Sequence, residues 1–220
     1  MSEIPTTVSG TFSHGWETMK KFFPELLLIL LILGLFSLPM GLVNSFVDER
    51  SFGYIFFSIF NAAYGLIIMA PLSYGASLLC LKAVRGESFN VNEIFFAYRR
   101  TLQIALANIL VGVVVGLGFV LLIVPGIIFA CKLSMVPYLV MDRNMEAVEA
   151  VRTSWNITKG YSWTIFGMGF LSFFIILAGV ILLIVGVFPA IIWISVAFAA
   201  MYEGINVEEK GRQTADGSPK

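Results

Sequence analysis

Lys132 lies inside an apolar run, IIFACKLSMVPYLVMD, seven residues after Pro125. An ammonium group at that depth costs about 2.5 kcal/mol or more unless it is paired or hydrated. Its chemistry would be that of a cavity-lining cation meeting an anionic substrate, a lipid phosphate or a coupling proton. The alternative is a lysine that snorkels along its stem toward an interface. Ser134 raises the question of Ser–Lys nucleophilic chemistry. A two-residue spacing turns the two side chains to different sides of a helix, so they do not face each other. Asn61, Asn108 and Tyr138 complete a candidate set, with Lys132 and Ser134, for a shared cavity or a lipid-headgroup contact. Tyr64, Tyr74, Ser73 and Ser77 are further polar groups in apolar runs. Hydrogen bonding between helices is the commoner use of such groups.

Catalytic signatures are missing from the sequence. There is no HExxH, no GxSxG, no Walker loop and no carboxylate pair inside an apolar run. Cys80 and Cys131 sit in separate apolar runs far from His14, the single histidine, which is not the spacing of a metal site or a disulfide framework. The expectation is a protein without enzymatic activity, cofactor or metal.

The elements that must position these residues follow from composition. Hydrophobic residues make up 58% of the 220-residue chain and charged residues 13%, where a soluble domain carries about a quarter charged residues. Mean hydropathy is +0.89. Net charge is zero, which gives no bulk attraction to nucleic acid. Six apolar segments predict six transmembrane helices, roughly Glu25–Val47, Gly53–Leu81, Leu102–Ile123, Gly126–Met141, Ser162–Val185 and Pro189–Tyr202. The first follows a stretch holding Glu3, Glu17, Lys20 and Lys21, and reads as a retained span rather than a cleaved signal. Pro71 and Gly75 are expected to kink the long second segment or divide it into two pieces. Pro125-Gly126, and Gly186 with Pro189, break the later runs into pairs, so the spans are expected as three hairpins.

Charge sets their direction. Lys20, Lys21, Lys82, Arg85, Arg99, Arg100, Arg143, Arg152, Lys159, Lys210, Arg212 and Lys220 all fall on one side of a six-span chain, and only Arg50, in the Asp48-Glu49-Arg50 turn, falls on the other. The positive-inside rule then puts both termini in the cytoplasm. Short amphipathic stretches precede the hairpins: Phe12, Trp16, Met19, Phe23; then Val91, Ile94, Phe95, Tyr98, after capping candidates Ser88, Asn90 and Asn92; then Val148, Val151, Trp155, with Glu146, Glu149, Arg152 and Asn156 opposite and Gly160 as a stop. They read as three cytoplasmic interfacial helices with Trp16, Tyr98 and Trp155 as anchors.

The whole is an all-α polytopic membrane protein with one membrane domain, 1–205, and a disordered cytoplasmic tail, 206–220. Leu121-Leu122-Ile123-Val124 matches Leu182-Leu183-Ile184-Val185, and the Trp16, Lys20, Phe22 spacing matches Trp155, Lys159, Tyr161. These suggest a threefold internal repeat over roughly 11–82, 89–142 and 144–203, running in parallel. Gly112, Gly116 and Gly118, with Gly65, Gly167 and Gly169, fit close helix packing, and Gly112 and Gly116 form a GxxxG that allows homo-oligomerisation.

Pro125-Gly126-Ile127, Pro137-Tyr138, Asp142, Glu146-Ala147, Ser154 and Thr158-x-Gly160 carry a resemblance over residues 85 to 205. This stretch resembles the membrane domain associated with bacterial glycerophosphodiester phosphodiesterases and its stand-alone six-span relatives. The resemblance implies a bacterial or archaeal inner-membrane protein of six spans and no established activity for the membrane domain by itself. The catalytic domain of the fused members, with its metal-binding carboxylates and histidines, has no counterpart in these 220 residues. The leading expectation is a non-enzymatic membrane module that handles lipids or amphiphiles, organises the membrane or serves a partner. The alternatives are a small transporter or channel with Lys132 in its pathway, and a scaffold subunit whose membrane or cytoplasmic protein partner binds the Asp142–Gly160 loop.

Overall fold

The computed structural model describes residues 6–44, 53–181 and 186–215 and is helical throughout, with no strand among them. Six helices are long and apolar enough to cross a membrane. The expected Asp48-Glu49-Arg50 turn, the Leu182–Val185 half of the repeat match, and Glu3, Val47 and Lys220 lie outside the described residues.

The chain opens with α1, Val8–Lys21, capped by the Thr7 hydroxyl accepting from the Gly10 amide at 3.2 Å and closed by Lys20 and Lys21 in its last turn. Both ends suit the helix dipole and its orphan groups. Helix α1 buries Thr11, Phe12, Gly15, Thr18 and Met19. Gly15 lets it cross α10 closely, since a Cβ there would meet Ala197 backbone at 3.1 Å. Helix α2, Phe23–Asn44, follows, with Pro24 and Glu25 in its first turn, where a missing N–H and a negative charge both fit.

The second span is α3, Gly53–Tyr64, a π-helical turn over Gly65–Met69, and α4, Ala70–Arg85. Sequence pointed to a kink or a division into two pieces at Pro71 and Gly75. The structure breaks the span just ahead of the proline, widening the ladder where the missing N–H and the ring would otherwise disrupt an α-helical turn. Gly75 serves contact: a Cβ there would stand 2.2 Å from the Ile94 carbonyl oxygen. Gly86, at φ +71°, then ends α4 in the left-handed conformation that glycine adopts without strain.

The segment Val91–Arg100 is a ten-residue 3-10 helix with a complete capping box between Asn90 and Glu93. It buries Ile94 and Ala97 and leads directly into α5, Thr101–Leu121. The fourth span is two helices, α6, Ile123–Leu133, and α7, Val136–Asp142, with a turn at Ser134–Met135. Lys132 therefore ends a helix, where its charge complements the dipole, rather than sitting within an unbroken one.

Helix α8, Ala147–Ile157, buries Ala147, Ala150 and Ser154, and Val148 is exposed. Small side chains allow close docking, and Val151 and Trp155 pack at the flank. Gly160, at φ +93°, provides the expected stop. Helix α9 is Ser162–Ile181. Helix α10, Val187–Ala215, runs far past the expected end at Tyr202 and takes in most of the stretch expected as a disordered tail. Contacts explain the extension: Arg143 bonds Asn206 and Glu209, and Thr6 and Tyr161 bond Glu208. Tertiary partners override weak local propensity.

The glycines divide differently from the expectation. Gly118 faces Gly126 across α5 and α6, where a Cβ would lie 2.8 Å from the Gly126 Cα. Gly112 and Gly116, the GxxxG pair, meet nothing within 4 Å. The buried core centres on α4, α7 and α10, around Leu72, Leu79, Leu139, Val196, Met201 and Tyr202.

Candidate functional site

Four of the five candidate residues line a chain of connected grooves, and Lys132 is apart from them. The first groove, about 380 Å³, lies between α2, α4, α6–α7 and α10. Leu26, Ile29, Leu30 and Leu33 form one wall, and Ser73, Ser77, Ser134, Ser195 and Tyr138 supply its hydroxyls. The serine donors are already used within their own helices: Ser73 to Ala70 O, Ser77 to Ser73 O, Ser134 to Cys131 O and Ser195 to Ile191 O, at 2.8–3.0 Å. What they present is weak acceptor character without charge. Ser134 also borders a second groove of about 490 Å³ with Asn108, Tyr74, Gly112 and Gly116. Asn108 and Ser73 in turn border a third, of about 540 Å³, with Asn61 and Met40. An apolar recess dotted with neutral polar groups suits an alkyl chain or another weakly polar molecule.

Lys132 is bound up with α8. Its amine stands 4.8 Å from the centroid of the Trp155 ring, and that ring also packs on Phe129 at 5.4 Å. Its backbone carbonyl accepts from Ser154 Oγ at 2.7 Å and Thr158 Oγ1 at 3.3 Å. Ser154 and Thr158 themselves are fully buried. These bonds seat α8 on the broken end of α6, where carbonyl groups lack helical partners. Ser134 donates to Cys131 and turns into the grooves, so the Ser–Lys pair does not assemble.

The three expected anchors all make specific contacts. Trp16 is 43% exposed, meets Trp193 at 5.0 Å and holds Lys20 over its ring at 5.8 Å. Tyr98 donates to the Ile68 carbonyl at 3.0 Å, within the π-helical turn. It thereby joins the 3-10 segment to the second span. Trp155 supports Lys132. The tryptophan most open to the surroundings is Trp163, at 84%, which the sequence reading did not single out.

Sequence reasoning also missed the polar lattice that ties the ends of α4 and α7 to the middle of α10. Arg85, at the end of α4, binds Asp142, at the end of α7, through two nitrogens at 2.6 and 2.9 Å. The same guanidinium reaches Glu203 of α10 at 2.8 Å. Tyr202 donates to Asp142 at 3.1 Å and stacks on Tyr138, with centroids 5.1 Å apart. Arg143 extends the lattice to Asn206 and to Glu209 at 2.7 Å. Burial pulls the Arg143 pKa down, but the hydrogen bond to Glu209 together with the charge and hydroxyl interactions of Glu209 and Tyr202 holds it above the ordinary arginine value. Arg100 grips the following loop through Val140 O, Asn144 O and Asn144 Oδ1 at 2.7–3.0 Å. Asn144 has φ +54°, a conformation asparagine tolerates better than most residues. One signal was readable: Tyr202, Asn206 and Glu209 recur at steps of four and three, a polar stripe on one helix face.

His14 Nε2 and Glu25 Oε2 are buried without a hydrogen-bond partner among the described residues. Cys80 and Cys131 are free thiols, and no group of three or more His, Cys, Asp or Glu among the described residues is placed to hold a metal.

Six membrane-length helices around neutral grooves define the coarse class, a chain compatible with a multi-pass membrane protein. Comparisons with protein-family models, curated proteins and solved structures return no match.

Proposed function

We propose that this chain is a non-enzymatic integral membrane module that holds a lipid or similar amphiphile between its helices. One observation carries the reading: the groove of about 380 Å³ bounded by α2, α4, α6–α7 and α10, with apolar walls, spent serine donors and no charged lining residue. Such a surface favours an alkyl chain over an ion, which would leave its hydration uncompensated. The transporter alternative needs Lys132 in the pathway, and its amine instead rests on Trp155, away from the groove lining.

In this reading the six spans form three hairpins in a bacterial or archaeal inner membrane. The close approaches of Gly118 to Gly126 and of Gly179 to Gly186 support pairing of consecutive spans. The one-sided basic residues support cytoplasmic termini. The α1, 3-10 and α8 segments then lie toward the cytoplasmic face, tucked against the spans rather than spread on the surface. The residues from Pro125 to Gly160 that resemble the phosphodiesterase-associated membrane domain fit the same picture, since Asp142, Ser154 and Thr158 are the ones that hold α7 and α8 in place.

Native mass spectrometry of the chain released from lipid nanodiscs tests this. Wild type should retain lipid, and Ser195→Trp, which fills the groove from α10, should retain one lipid fewer while eluting as the same folded species. Equal retention by both would overturn the reading.

A further inference from the structure

We propose that Lys132 and the apolar groove between α6 and α9 form a site for one anionic glycerophospholipid, with an acyl chain in the groove and the phosphodiester on the Lys132 amine. The proposal rests on the reading that this chain holds lipid, and it names a second location, a lipid class and the recognising group.

The groove measures about 420 Å³ and is lined by Val124, Ile127, Ile128 and Cys131 of α6 and by Ser162, Trp163 and Phe166 of α9. Val124 to Cys131 covers roughly 10 Å along the helix. Its one hydroxyl, on Ser162, already donates to the Thr158 carbonyl at 3.2 Å. Nothing inside the groove carries a charge, so its contribution to any ligand is mainly apolar.

The polar contribution comes from its rim. Lys132 lies one turn beyond Ile128, on the adjoining flank of α6 by the four-residue spacing. Among the described residues no carboxylate stands within ion-pair distance of its amine; the ion pairs use Lys82, Arg85 and Arg143 instead. Its contact is the face of Trp155, which leaves the ammonium able to take an anion on its outer side. The backbone of Lys132 is held by Ser154 and Thr158, so the stem starts from a rigid point.

Trp163 marks the level. It opens α9 beside Ser162, is 84% exposed, and stands at the same end of the groove as Cys131. An exposed tryptophan at a helix end is the residue type that favours the headgroup region. An apolar slot that leads from the helix interior to an unpaired cation at that level matches the two parts of an anionic lipid. Charge complementarity selects an anionic headgroup over a zwitterionic one, and the slot selects a lipid over free phosphate.

The test uses the full chain in nanodiscs holding phosphatidylcholine and phosphatidylglycerol in equal amounts, read by native mass spectrometry. Wild type should retain phosphatidylglycerol in several-fold preference. Lys132→Gln should bring the ratio to that of the bulk lipid, Lys132→Arg should keep the preference, and Ile128→Trp should remove the adduct by filling the slot. Alkylation of Cys131 should slow when phosphatidylglycerol is present, in wild type but not in Lys132→Gln. An unchanged preference in Lys132→Gln, or none in wild type, would overturn the site. Displacement by inorganic phosphate would overturn the choice of a lipid, and a lipid-free dimer lost in Ile128→Trp would assign the face to a second copy. The Ser195→Trp variant separates the two ideas: lipid lost there but phosphatidylglycerol preference kept in Lys132→Gln defeats this site alone. Wild type that retains no lipid defeats both.

Discussion

The lattice around Arg85 and the groove beneath Ser195 adjoin in the same bundle, yet they spend their polar groups in opposite ways. In the lattice, Arg85, Asp142, Glu203 and Tyr202 satisfy one another across three helices. In the groove, Ser73, Ser77, Ser134 and Ser195 satisfy themselves within their own helices and make no bond across the recess between helices. Tyr138 belongs to both: it lines the groove and stacks on Tyr202. The difference separates rigidity from occupancy. Cross-helix bonds lock α4, α7 and α10, and intrahelical bonds keep a recess between them free for a guest.

Substitutions can break this contrast. Arg85→Ala should have the largest effect, about 3–5 kcal/mol of destabilisation, because Asp142 and Glu203 are left buried without their cation. Thermal unfolding in detergent, followed by size-exclusion chromatography, reads this out. Arg85→Lys should recover only part, since a lysine cannot bind Asp142 through two nitrogens and reach Glu203 as well. Full recovery would show that charge, not fork geometry, matters.

Gly75→Ala should cost about 1–3 kcal/mol or more by forcing the 3-10 segment off α4, because the new methyl would stand 2.2 Å from Ile94 O. The same unfolding measurement checks it, and a neutral result would show that the two segments part without penalty. Ser154→Ala should cost about 1 kcal/mol through loss of the bond to Lys132 O. Faster amide exchange confined to α8 would localise that loss. Ser195→Ala should be the smallest, within about 0.5 kcal/mol, as its bond is local to α10. A larger loss would mean that the groove hydroxyls hold structure as well as line space.

Much of this was legible in advance, for physical reasons that differ by feature. Membrane-length helices follow from run length and hydropathy, so all six were readable. Asn90 as a cap and Gly160 as a stop follow from local backbone chemistry. Asn61, Asn108, Ser134 and Tyr138, picked out as polar groups in apolar runs, border the grooves. Other readings failed where a distant segment decides the outcome. The tail past Gly204 looks disordered by composition, yet Arg143, Tyr161 and Thr6 supply partners for its carboxylates. Gly75, read only as part of a break in its span, turns out to be a close contact with the Ile94 carbonyl. Lys132 shows the same limit: its type and run were visible, but not the Trp155 ring beside it.

Local chemistry alone therefore determined that this chain is helical, that its helices are of membrane length, and where several of them start and stop, because hydropathy, caps and prolines act within a few residues. Tertiary structure alone decided which polar groups became the lattice and which became groove lining. An arginine, a serine or a glycine acquires its role from what another helix brings within about 3 Å, a distance that hydrogen bonding and steric contact require and that spacing along one segment does not encode.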